Sequence, residues 1–303
     1  MKFVGHRGAS AVKPESTMSA FMRAVALGLS FECDLQVIRT GEVVVLHDST
    51  LERTAAEYNP ATAGGLDEQE YRALVTMPAA NLTLDDMREI DVGSASDPTS
   101  SSHTTRVPTF AQALHAVKKV DDDEIGVLAE VKSETGETGD PSPDHKMSEL
   151  DGQLVEAAEK VASESHLPPA KLTWISFSRA VACEMKRRMP EHKSLLIAHA
   201  RTTEGAWQAA RECVESGLDG VDLEADAEVV TPELVAWLHA RGKVVAVWVY
   251  RAPAMGDTSP LGVSRMSSND TPELWGAMRD AGVDVFTSNL PPELEKWREA
   301  EVA

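Results

Sequence analysis

The chain has 303 residues, 42% of them hydrophobic and 26% charged, and carries 49 acidic against 29 basic side chains for a formal net charge of −20. Such a length accommodates an α/β barrel, a fold of about 250 residues or more. The acidic balance argues against nucleic acid or an anionic membrane surface as a main partner, since both need a basic footprint.

Short β-branched runs alternate with amphipathic stretches in the pattern of a mostly parallel α/β fold. Lys2–Gly5 is the first expected strand. A helix over Thr17–Leu27 follows, with Met18, Phe21, Met22 and Val25 on one face. Strands are expected at Phe31–Val37 and Val43–Leu46, joined across Arg39-Thr40-Gly41-Glu42 at hairpin spacing. Residues 52–106 carry little strand signal, end in the Ser/Thr-rich run Ser94–Thr105, and read as an inserted subdomain or long loop. Helix and strand then alternate through Thr109–Val120, Ile125–Val131, Leu150–Ser163, Leu172–Ser176, Arg179–Arg188, Ser194–Ala198, Glu204–Ser216, Gly220–Leu223, Thr231–Ala240, Val244–Val249, Thr271–Ala281 and Val283–Thr287. Gly28, Gly217, Gly242 and Gly282 stand where helices end. The polar segment 133–148 is expected to be mobile, and 251–270 is irregular. Nine strands with helices between them predict a (β/α)8 barrel plus one hairpin partner, as a single domain over residues 1–303.

Charged side chains gather at the predicted strand ends. His6-Arg7-Gly8 leaves the first strand, and Glu32 and Asp34, two apart, share one face of the second. His47-Asp48 ends the hairpin strand, while Glu130 and Lys132 end the strand after the insertion. A barrel interior is apolar, so inward charges need a partner, a metal ion or a place at the C-terminal rim. Carboxylate oxygens suit hard cations such as Mg2+ and Ca2+. Cleaving a phosphodiester requires charge neutralisation, a base for the nucleophile and an acid for the leaving alkoxide. Metal, Arg7 and Lys132 can supply the first, and two histidines the others. Glu15 reads as a helix-start charge, and Trp248 as either core or substrate wall. Of the other histidines, most are expected at the surface, with His199 at a strand end as the exception to watch.

These residues carry a resemblance. His6-Arg7-Gly8, Pro14-Glu15-Ser16-Thr17, Glu32-Cys33-Asp34, His47-Asp48 with Leu51 and Arg53-Thr54, Val107-Pro108-Thr109, Glu130-Val131-Lys132, Trp248 and Gly282-Val283-Asp284 together resemble the glycerophosphodiester phosphodiesterase family, in order along nearly the whole chain. The resemblance implies a barrel with an insertion after the His-Asp strand, and a divalent metal, Mg2+ or Ca2+ with Mn2+ as a further option, on Glu32, Asp34 and Glu130. It implies His6 as base and His47 as acid, and phosphate contacts from Arg7 and Lys132. The substrate it implies is a deacylated phospholipid diester, cleaved to glycerol 3-phosphate and an alcohol, with the neighbouring glycerol hydroxyl as a first nucleophile through a cyclic phosphate. Two departures stand out. Ser16 replaces the usual Asn, where it would cap the following helix, and the last strand ends Thr287-Ser288-Asn289 instead of Thr-Asp.

Two other readings remain open at this level. A relative acting on lysophospholipids or sphingolipids, in the manner of a phospholipase D, would need an apolar groove at the barrel mouth. A silent barrel acting as a binding protein would have lost at least one of His6, Glu32, Asp34, His47 and Glu130. The three sparse cysteines, with no CxxC spacing, and the start MKFVGHRGAS without an apolar h-region, suggest a cytoplasmic protein with no stable membrane insertion.

Overall fold

Alternation along each strand decides which side chains enter the barrel and which meet the helices. The computed structural model describes residues 1–93, 105–122, 124–134, 146–249 and 269–302. Nearly all of Ser94–Thr105, most of segment 133–148 and most of 251–270, all singled out in the sequence, lie outside these residues.

Eight strands run parallel around a closed circuit: β1 (Lys2–Gly5), β2 (Ser30–Val37), β4 (Val127–Val131), β5 (Leu172–Ser176), β6 (Lys193–Ala198), β7 (Gly220–Glu224), β8 (Val244–Trp248) and β9 (Val285–Ser288), with β9 pairing back onto β1. The short β3 (Val43–Val45) is the hairpin partner, antiparallel to β2. This is the (β/α)8 barrel expected from the sequence, with its extra strand. Each strand is found within a few residues of its expected limits.

Inside the barrel, Val4, Leu128, Ile175, Leu195, Ile197 and Ala246 form an apolar layer. On the outer face, Phe31, Cys33 and Leu35 of β2 are fully buried beneath the helices, as are Ala129 and Val131 of β4. The helices are α1 (Met18–Ala26), α2 (Glu68–Thr76), α3 (Leu84–Glu89), α4 (Phe110–Lys118), α5 (Glu149–Ser165), α6 (Arg179–Arg188), α7 (Thr203–Glu215), α8 (Pro232–His239), α9 (Pro272–Ala281) and α10 (Pro291–Val302). Phe21 of α1 stacks on Phe31 of β2 at 4.4 Å between ring centroids, one of the contacts that fix helix against barrel.

Among the described residues, the stretch between β3 and α4, expected as an inserted subdomain or loop, carries α2 and α3. Both α2 and α3 open with reciprocal capping boxes, Asp67 with Glu70 and Thr83 with Asp86. Leu51, Tyr71, Leu82, Met87 and Ile90 form its own apolar cluster, which packs on Val44 and Leu46 beside the barrel.

The cap of α1 differs from the sequence expectation. Thr17, not Ser16, occupies the N-cap, its hydroxyl accepting from Ala20 N. Ser16 instead has φ of 55°, in the left-handed region where Asn is better tolerated than most residues.

Candidate active site

The strand ends bring all the candidate residues but Asp34 to the wall of one cavity of about 760 Å³, lined by His6, Arg7, Glu32, His47, Glu130, Lys132 and Trp248 among others. Glu32 and Asp34 point inward from β2 because Phe31, Cys33 and Leu35 take the opposite face. Asp34 and Glu130 are register partners across β2 and β4, so their carboxylates are neighbours. Glu32, Asp34 and Glu130 are buried, and each offers an oxygen within 4.8 Å of the other two.

Two cations, Lys132 and Arg7, pair with the cluster but leave part of its hydrogen-bonding capacity unmet. Glu32 Oε1 and both oxygens of Asp34 are buried without a hydrogen-bond partner. Lys132 Nζ lies 2.8 Å from Glu130 Oε1 and 3.1 Å from Asp34 Oδ1, the latter an ion pair without hydrogen-bond geometry. Burial, with Asp34 and Glu130 adding their repulsion, raises the Glu32 carboxyl well above its usual range. Burial likewise raises Glu130 against the pull of Lys132. Burial opposes ionisation of Asp34 too, but Lys132, then His47 and Arg7, hold its carboxyl below the usual range. Three convergent carboxylate groups, two of them with oxygens left unsatisfied, are the donor set that a hard divalent cation fits.

The loop after β1 is shaped by two constraints. Arg7 adopts φ of 56°, unusual for a bulky side chain, and its N–H donates to Glu32 Oε2 at 2.9 Å. Gly8, at φ of 81°, leaves no room for a Cβ, which would fall 2.7 Å from the Ala20 carbonyl carbon. The strained turn thereby places His6 over the carboxylates, with Nε2 3.9 Å from Glu32 Oε2.

The two histidines are held by different partners. His6 Nδ1 lies 2.7 Å from Asn289 Oδ1, and Asn289 Nδ2 donates to Val249 O at 3.4 Å. With its oxygen facing the ring, Asn289 makes Nδ1 the protonated nitrogen and leaves Nε2 as the lone-pair atom. Burial, then Arg7, lowers His6 to about 3, so it is neutral near pH 7. His47 Nδ1 instead lies 2.6 Å from Asp48 Oδ1. Burial of Asp48 is outweighed by the hydrogen bonds from His47 and Arg53, which hold its carboxyl down to about 2.

Several residues in this frame escaped the sequence reading. Glu15 is more than a helix-start charge: Arg7 Nη1 donates to it at 2.9 Å, and Arg53 donates through Nη1 and Nη2 at 2.8 and 2.7 Å. Arg53 Nε also donates to Asp48 Oδ2 at 2.6 Å, so a single ionic chain joins His47 to Arg7. Gln36 of β2 fixes the His47 turn by donating to the carbonyls of Leu46 and His47 at 3.0 and 3.3 Å. Asp270 accepts from Asn289 N at 2.7 Å and from Trp275 Nε1 at 2.7 Å, bracing the residue that orients His6.

On the far side of the cavity Trp248 is partly buried, packing against the inner apolar layer while lining the cavity. Its ring meets His199 at 5.1 Å and Phe177 at 5.9 Å, and His199 and Phe177 stack at 4.9 Å. His199 Nδ1 is 3.5 Å from Glu224 Oε2. His115, His166 and His239 are exposed as expected, whereas His192 is buried near Trp174. On the floor, Asp222 is 2% exposed, and burial, with the Glu130 charge adding, pushes its carboxyl up to about 8.

Comparison with known proteins points to one family. A Mycobacterium tuberculosis protein carrying the name "Probable glycerophosphodiester phosphodiesterase 1" is 26% identical over 251 residues, 81% of this chain and 80% of that protein. Among solved structures, an Oleispira antarctica phosphodiesterase in complex with the product sn-glycerol-3-phosphate superposes with a TM-score of 0.68 at 18% identity, covering 100% of this chain and 97% of that one. A glycerophosphodiester phosphodiesterase from Parabacteroides distasonis gives 0.67 at 19% identity, over 100% and 98% of the two chains. The model of the glycerophosphoryl diester phosphodiesterase family matches residues 6–291. On that match the chain belongs to the glycerophosphoryl diester phosphodiesterase family, whose members are phosphoric diester hydrolases.

Proposed function

We propose that the protein hydrolyses glycerophosphodiesters to glycerol 3-phosphate and an alcohol, using a divalent cation held by Glu32, Asp34 and Glu130 and the histidines His6 and His47 as base and acid. The observation that carries this reading is the underpartnered carboxylate cluster flanked, in one cavity, by two histidines with opposite partners. Mg2+ or Ca2+ suits three carboxylates, with Mn2+ as a further candidate. When bound, the cation neutralises the non-bridging oxygens of the phosphate and acidifies the hydroxyl that attacks it. His6 Nε2 takes the proton from the glycerol hydroxyl beside the phosphate as its oxygen attacks phosphorus. His47, set by Asp48, gives a proton to the departing alcohol oxygen, leaving a cyclic phosphate. Water then opens the ring with the two histidines in exchanged roles.

The whole chain serves as one domain in this proposal, with the helical insertion walling the His47 side. A cytoplasmic setting is supported by three free cysteines. No helix among the described residues is long and apolar enough to cross a membrane. The lysophospholipid reading is less favoured, because Lys132, His199 and Arg201 line the cavity beside its aromatic wall. The test is product release from a panel of glycerophosphodiesters with choline, ethanolamine, serine, inositol and glycerol head groups, beside lysophosphatidylcholine. Glycerol 3-phosphate should appear from one or more of the first set, and at least tenfold slower turnover is expected for the lysolipid. Preference for the lysolipid would overturn the assignment.

Arg7 and Lys132 line the same cavity, and with a net charge of −20 the phosphate must be gathered by such short-range contacts. Arg7 uses Nη1 on Glu15, which presets the guanidinium plane. Arg7→Lys keeps the charge but loses that plane, and a loss of about tenfold or more in kcat/KM is expected. Lys132→Ala should lower kcat/KM more than it weakens inorganic phosphate binding, if the ammonium acts mainly on charge that develops in the transition state. Kinetics and phosphate titration of both variants measure the difference. Unchanged kinetics in both would reduce these side chains to counter-charges for the carboxylates.

A further inference from the structure

We infer that Asp222 binds the terminal hydroxyl of the substrate's glycerol moiety on the floor of the barrel cavity. This deepens the glycerophosphodiester reading and rests on it. Asp222 lies in the middle of β7, and its register partners are Ile197 of β6 and Ala246 of β8, both in the apolar layer inside the barrel. It is buried, lines the cavity shared with His6, Glu32 and Glu130, and its Oδ1 has no hydrogen-bond partner among the described residues. A carboxyl so placed destabilises the fold, since its lost hydration is not replaced. A polar atom without a protein partner, facing a cavity, is explained by a partner that arrives with the ligand.

The surroundings specify that partner. Asp222 is not among the three carboxylates whose oxygens lie within 4.8 Å of one another, so it does not extend the cation cluster. Its neighbours Ile175 and Ile197 offer apolar contact to a short carbon chain but no donor. With the phosphate at the carboxylate cluster, the adjacent glycerol hydroxyl stays at the reacting phosphorus, and the terminal hydroxyl is the group one carbon farther on. An O–H there satisfies Asp222. An ester at that carbon has no proton to give and leads an acyl chain toward Ile175 and Ile197, so the same carboxyl discriminates deacylated diesters from lysolipids.

The test compares kcat/KM for sn-glycero-3-phosphocholine and for 2-hydroxypropyl phosphocholine, which lacks only the terminal hydroxyl, in wild type, Asp222→Asn and Asp222→Leu. The wild type should prefer the first by about 10- to 100-fold, the range for a hydrogen bond to an ionisable group. Asp222→Leu should erase that preference, losing about that factor on glycerophosphocholine and under about threefold on the analogue. Asp222→Asn, whose amide oxygen still accepts, should retain part of it. The melting temperature of Asp222→Leu should equal or exceed that of the wild type, because an unpaired polar group leaves the core. Calorimetric binding of glycerol 3-phosphate against 2-hydroxypropyl phosphate gives the same comparison without turnover, and serves with Asp222→Asn if the leucine variant does not fold. Equal losses on both substrates, or an undiminished preference in the variants, would overturn the inference while leaving the activity in place. A wild type that cleaves neither substrate would overturn the glycerophosphodiester reading and this inference together.

Discussion

Alanine at Glu32, Asp34 or Glu130 is expected to abolish turnover while the protein remains folded. All three sit at the mouth of the barrel, and the helix-side core is built from other residues of the same strands, such as Phe31, Cys33, Ala129 and Val131. The expected loss exceeds what one hydrogen bond supplies, because removing any ligand from a three-carboxylate set removes both the charge and the geometry that hold the cation. A readout independent of activity is thermal stability. Glu32→Gln keeps an oxygen to accept from Arg7 N but removes the burial and repulsion penalty of ionising a carboxyl there. The metal-free variant should therefore melt at or above the metal-free wild type. Added Mg2+, Ca2+ or Mn2+ should stabilise the wild type, by about 2.7 kcal/mol at a hundred times the dissociation constant. The same addition should leave Glu32→Gln nearly unmoved. Equal stabilisation of both proteins would place the cation elsewhere.

The second large effect concerns the histidines. Alanine at either His6 or His47 is expected to slow glycerophosphodiester cleavage by about 10²–10⁴-fold. Their partners separate the roles. His6 faces a neutral amide, has its lone pair on Nε2 and is neutral near pH 7, which suits a base. His47 is backed by the Asp48 carboxylate, the partner a proton-donating ring needs. A p-nitrophenyl phosphodiester of glycerol carries a leaving group that departs without protonation. It should restore much of the rate to His47→Ala and little to His6→Ala. Rescue of His6→Ala instead would exchange the two assignments, and undiminished rates in both variants would remove the histidines from the chemistry.

How much of this was legible in the sequence follows from the range of the signals. Glu32 and Asp34 could be placed on one inward face because a strand alternates with period two, and the β2–β4 register then brought Asp34 beside Glu130. His6 and His47 were readable as residues leaving strands. What orients them was not. His6 is held by Asn289, 283 residues away, and Asn289 by the buried Asp270, contacts that no local pattern announces. Glu15 sits just before a helix, where an acidic side chain is ordinary, and only the fold brings Arg7 and Arg53 to it. Asp222 falls inside the expected strand Gly220–Leu223 with no local mark of function, and its isolation appears only once Ile197 and Ala246 flank it. The insertion helices carried a local signal that could have found them, the capping pairs Asp67 with Glu70 and Thr83 with Asp86, but they are short and polar enough to pass for loop.

The central claim is that these carboxylates and histidines cleave glycerophosphodiesters only with a divalent cation in place. It is tested most directly by following glycerol 3-phosphate release from sn-glycero-3-phosphocholine with protein stripped by a chelator and verified metal-free by elemental analysis. The account predicts no release above background from the stripped protein, and recovery of turnover when Mg2+, Ca2+ or Mn2+ is returned. Full turnover by the verified metal-free protein would contradict it.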